Sequence, residues 1–162
     1  MNAARSAGVA LAIAGLVASS AASGGLLDSP APTFGAVAGR VVFRMGPIHF
    51  QPDRTDTVIT CTNVGDAAAQ LAVEVFDERD RAVGRRADAT LPASASVSFV
   101  TSADASRDHW VVMEGLAPLD HGKARVSATT TKLACSAHHH LRNEDGTTLD
   151  SALELVKKVA FE

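Results

Sequence analysis

Residues Thr57 to Asp77, TVITCTNVGDAAAQLAVEVFD, restrict the fold more than any other stretch. In the second half Leu71, Val73 and Val75 alternate with Ala72 and Glu74. A two-residue beat sends successive side chains to opposite faces of a strand, whereas a helix would repeat every three or four residues. The first half is rich in β-branched residues (Val58, Ile59, Thr60, Thr62) around Cys61, and Asn63-Val64-Gly65-Asp66 supplies turn chemistry between the halves. The stretch reads as two short strands joined by a tight turn, a hairpin-like unit. It sets a β class and names no activity.

The rest of the chain follows the same beat. Arg40 to Arg44 reads as a first strand ended by Gly46-Pro47, with Ile48 to Arg54 as a loop. Glu78-Arg79-Asp80-Arg81 reads as a solvated hairpin tip, Ala82 to Arg85 as a charged edge strand and Asp88 to Leu91 as another short strand. Pro92-Ala93-Ser94 is a turn. Val97 and Phe99 then alternate with Ser96 and Ser98, and His109 to Met113 is apolar and strand-like. Glu114 to Gly122 reads as a long connection; Lys123 to Thr129 and Lys132 to His140 are the next strands. The C-terminus fits a helical stripe (Leu149, Leu153, Val156) or a strand (Leu153, Leu155, Val159, Phe161), and the strand suits the rest better. About eight short strands separated by turn residues predict an all-β, antiparallel two-sheet sandwich of about seven to nine strands.

The core must be largely aliphatic, because aromatics are 4 % of the 162 residues: six Phe, one Trp and no Tyr. A net charge of -3 excludes a concentrated basic face for nucleic acid or an anionic bilayer.

Met1 to Ala22 has the form of a cleavable signal helix: Arg5, the apolar run Ala7 to Ala18, and small residues with Ser20 and Ala22 suited to cleavage. The apolar run is too short to span a bilayer, and the mature chain has no other candidate span. Residues 1–22 are therefore expected as signal peptide, 23–39 as a flexible leader ordered only near Val37, and 40–162 as the sandwich. The expected location is secreted or periplasmic. In such a compartment Cys61 and Cys135, each in phase with apolar neighbours of its strand, read as a disulfide or as two buried thiols. A bridge would close a loop of about 75 residues, worth roughly 4 kcal/mol.

The strings CTNVG (Cys61–Gly65), VEVFD (Val73–Asp77), LPASASVSF (Leu91–Phe99) and GKARVSATTTKLACSA (Gly122–Ala137) resemble a group of uncharacterised small secreted bacterial proteins with an immunoglobulin- or fibronectin-like domain. The resemblance covers Val41 to His140 and the terminal LELVKK, and departs at Leu91-Pro92-Ala93 and at the three histidines. It implies an immunoglobulin-like β-sandwich and a bridge between Cys61 and Cys135; it carries no activity. Trp110 lies too far from Cys61 for an antibody-type core.

His138-His139-His140 is the sharpest chemical cluster. On a strand His138 and His140 share the face opposite Cys135, and could hold Zn²⁺ or Cu²⁺ with a third ligand from His49, His109, His121 or Asp145; a solvated strand end is the blander reading. Replacing His139 by alanine is expected to be nearly silent for stability. Asp104, Asp108 and His109 are neighbours in sequence, but there is no G-x-S-x-G and no phosphate loop. Asn143-Glu144-Asp145-Gly146 lacks EF-hand spacing and reads as a turn. The expected function is a non-catalytic secreted or periplasmic module, needing no cofactor, that binds a protein or envelope component. The alternative is a periplasmic metal-binding protein using His138 and His140.

Overall fold

A computed structural model describes residues 29–102, 110–143, 147–152 and 155–159. The expected signal peptide 1–22, the first part of the leader, and Asp104, Asp108, His109 and Asp145 lie outside them.

The described residues form twelve strands: β1 (Thr33–Phe34), β2 (Val37–Ala38), β3 (Arg40–Phe50), β4 (Thr55–Asn63), β5 (Ala69–Phe76), β6 (Ala82–Leu91), β7 (Ser96–Val100), β8 (Trp110–Val112), β9 (Leu119–Ala128), β10 (Leu133–Arg142), β11 (Thr148–Ala152) and β12 (Leu155–Lys158). β1 and β2 pair with each other, within the segment expected as a leader. The others form two five-stranded sheets, ordered β11-β10-β4-β7-β8 and β12-β3-β9-β5-β6. All pairings are antiparallel except β7 with β8. The strands outnumber the seven to nine expected, because β1 and β2 form within the expected leader and the C-terminal segment supplies two strands, β11 and β12. The ambiguous C-terminal segment is strand in both its described pieces.

One core draws on both large sheets. Val42 and Ile48 (β3), Leu71 and Val73 (β5) and Val126 (β9) meet Ile59 and Cys61 (β4), Phe99 (β7) and Leu133 (β10), all almost fully buried. The alternation read from the sequence is what aims these residues inward.

The expected hairpin from Thr57 to Asp77 does not form. β4 and β5 lie in different sheets, and the turn between them carries the chain across the core. Asn63 fixes that crossing. Fully buried, its Nδ2 donates to the carbonyls of Ala67 (2.8 Å), Leu91 (3.1 Å) and Pro92 (3.1 Å), and its Oδ1 accepts from Gly65 N (3.0 Å). Alternation specifies a strand's faces but not its neighbour. The true hairpin is β5–β6, whose tip is the charged run. There Asp77 Oδ1 accepts from the amides of Arg79 and Arg81 at 2.9 Å each.

Two breaks expected from Gly and Pro are absent. β3 runs on through Gly46-Pro47 to Phe50, because Pro47 falls within a register shift between Met45 and Ile48, where the ladder tolerates a missing donor. β9 begins at Leu119, inside the expected connection. Gly122 sits there because an added Cβ would run into Leu119 and the carbonyl oxygen of Phe76.

Cys61 and Cys135 are bonded. They are direct cross-strand partners in the β4–β10 ladder, with Cα atoms 4.2 Å apart. The bridge therefore braces one sheet, rather than tying one sheet to the other as in antibody domains.

Candidate functional site

Three histidines from three strands meet at one end of the core. His139 lies on β10 in phase with Cys135 and Ala137, so its ring turns inward rather than to solvent. It meets the ring of His49 on β3 edge-on, with centroids 4.7 Å apart; His121 on β9 meets His49 from elsewhere at 5.6 Å. β3 and β10 belong to different sheets, so the His49–His139 contact spans them. Thr57 anchors the group. Its Oγ1 donates to the His49 carbonyl at 2.8 Å, accepts from the His49 amide at 3.0 Å, and lies 3.3 Å from His139 Nδ1. Thr57 N donates in turn to Thr101 Oγ1 at 2.9 Å.

Burial holds the His49 pKa below its ordinary value, the neighbouring His121 adds to that, and the Asp120 carboxylate works against it. A partly desolvated imidazole beside another imidazole favours its neutral form. This packing gives His139 a ring contact across the sheets and a neighbouring hydroxyl that the sequence does not disclose. His139's face was legible in the sequence from its phase with Cys135. His49 and His121 stand in the sequence only as distant partners for His138 and His140, and their grouping with His139 was not legible because their segments read as loop and connection.

His138 and His140 do share the opposite face of β10, as expected. Both look toward Asp150 on β11, which pairs directly with His140. His140 Nδ1 is 2.7 Å from Asp150 Oδ1 and His138 Nε2 is 4.0 Å from it. Of the suggested third metal ligands, His49 and His121 lie with His139 instead, and His109 and Asp145 are outside the described residues. Among the described residues no group of three or more His, Cys, Asp or Glu is placed to hold a metal ion.

Beside the histidines, Arg142 Nη2 donates to Asp56 Oδ2 at 3.2 Å, and the Asp56 side chain is 6 % exposed. A surface recess between the β3–β4 turn and the end of β10 is lined by Gln51, Pro52, Arg54, Leu141 and Arg142. No helix among the described residues is long and apolar enough to cross a membrane. Set against known protein families, characterised proteins and solved structures, the chain matches none.

Proposed function

We propose that the chain is an exported, non-catalytic β-sandwich domain of the immunoglobulin-like kind that holds a protein partner in the bacterial envelope. The Cys61–Cys135 bond carries the export half of this reading, since such a bond between two paired strands persists in oxidising compartments and is rare in the cytosol. The binding half is supported by the sheet edges. β6 is guarded by Arg85, Arg86 and Asp88 and by a register shift opposite Val73 and Val75, devices that discourage pairing with another chain. β11 is different: Leu149 is 58 % exposed and pairs with exposed Leu141 on β10, an apolar rung at a sheet margin. An added strand would find backbone partners and an apolar pair there. For the metal-binding alternative, no group of three or more His, Cys, Asp or Glu placed to hold a metal ion surrounds His138 and His140 among the described residues.

The test places a photo-crosslinking residue at Leu149 or at Arg85 in the chain expressed with its own N-terminus. The expected result is a processed, periplasmic, disulfide-bonded protein that forms a discrete adduct from position 149 and none from position 85. Recovery from the cytosol with free thiols would refute export. Equal labelling from both positions would refute the choice of edge.

A further inference from the structure

Several side chains are buried on the outer face of the β12-β3-β9-β5-β6 sheet, away from the shared core. Ala72, Phe76, Arg125 and Ser127 are each at most 2 % exposed, yet none belongs to the core cluster. They alternate with core residues on β5 and β9, so they face the other way. Arg125 organises this face. Its Nε and Nη2 grip Glu74 at 2.7 and 3.1 Å, and its guanidinium carbon lies 5.1 Å from the centre of the Phe76 ring. Its remaining donors go to the chain's own N-terminal segment: Nη1 to the Ser29 carbonyl (2.8 Å) and Oγ (2.9 Å), Nη2 to the Pro30 carbonyl (3.0 Å). Farther along, Phe34 is 8 % exposed and has Arg86 over its ring at 5.9 Å.

The chemistry of this contact is selective. Glu74 neutralises Arg125 through a two-point ion pair, so the N–H groups left over address neutral oxygens better than a second anion. Ser127 Oγ, on the same face of β9, is buried and has no hydrogen-bond partner among the described residues, which leaves one more polar group on this face. Two backbone carbonyls, a hydroxyl and an aromatic ring describe a neutral peptide segment: Ser29 and Pro30 lie along Arg125, and residues 32–39 fold back as the β1–β2 hairpin that carries Phe34.

We propose that this outer face is a binding site for a neutral peptide, and that residues 29–39, SPAPTFGAVAG, with their β1–β2 hairpin, fill it as a tethered strap that a partner segment can displace. Tethering gives the strap an effective concentration on the order of millimolar, so a free peptide competes poorly until the strap is loosened. The site is separate from the β11 edge, and neither proposal depends on the other.

The experiment uses the full chain and a fluorescein-labelled peptide of residues 29–39. Phe34→Ala, with Phe34→Asp as a stronger version, loosens the strap without touching Arg125 or Glu74. Hydrogen exchange should show protection lost in residues 31–39 and kept in β4 and β10. The peptide should then bind the loosened variant in the micromolar range, and bind wild type at least tenfold more weakly. Adding Arg125→Met together with Glu74→Met, which removes both charges at once, should abolish that binding. The proposal is overturned if the strap stays protected in both Phe34 variants. It is equally overturned if the strap is released but the peptide does not bind, or binds regardless of Arg125 and Glu74.

Discussion

Asn63 shows what one polar side chain contributes when burial leaves it no water. Its amide nitrogen meets three carbonyls and its amide oxygen one N–H. Its own amide also donates to Ala95 O at 2.9 Å, and its carbonyl accepts from Ser94 N at 2.9 Å. Two segments, residues 65–67 and 91–95, converge on this residue where the chain changes sheets. Asn63→Ala removes the side-chain bonds to the Ala67 and Leu91 carbonyls and the Gly65 amide, each worth about 1 kcal/mol, while Pro92 O keeps its bond from Ala95 N at 3.3 Å. We expect a loss of about 3 kcal/mol, seen as a lower urea midpoint with an unchanged slope. In the sequence Asn63 was only a turn residue, because the hydrogen bonds that distinguish it come from positions about thirty residues away.

Between elements, the decisive contact is where β3, β9 and β10 bring His49, His121 and His139 together. His139→Ala removes a ring that packs across the two sheets, and should cost about 1 kcal/mol in a denaturation series. The pH dependence follows from His49. Its folded pKa lies below its ordinary value of 6.5, so the folded state binds fewer protons than the unfolded chain as pH falls. The stability it contributes is complete above pH 6.5 and is lost as pH drops through the lower, folded value. The urea midpoint should therefore decline from pH 7.5 to pH 5, and His49→Gln should flatten that decline. A midpoint that rose on acidification would contradict the neutral state assigned to His49. Faces of strands were legible throughout: β5, β7, β9 and β10 were all found from alternation, and with them the inward set of the cysteines. Pairing was not. The beat of β4 and β5 is the same whether they share a sheet or oppose each other, and Gly46-Pro47 and Gly122 look like breaks until the register shift and the close approach of Leu119 are known.

For the whole molecule, the disulfide matters through what it encloses. Cys61 and Cys135 are 74 residues apart, and β5, β6, β7, β8 and β9 all lie between them. The folded chain needs the bond little for geometry, since the β4–β10 ladder pairs nine residues from Thr55–Leu141 to Asn63–Leu133 and would hold those strands together without it. The unfolded chain is affected far more, because closing so long a loop removes conformations that the reduced chain can visit. That effect is worth roughly 4 kcal/mol in the chain-entropy model. Reduction should therefore lower stability by about that amount while leaving the native spectrum unchanged in the absence of denaturant. Its kinetic signature should be one-sided: the reduced chain refolds more slowly, because it must find the β4–β10 pairing across an open loop, and unfolds at nearly the same rate. Stopped-flow refolding and unfolding with and without reductant would measure both arms. A reduced protein that unfolds much faster but refolds at the same rate would place the bond's contribution in the native sheet instead, and would mean that the nine-residue ladder cannot hold β4 against β10 alone.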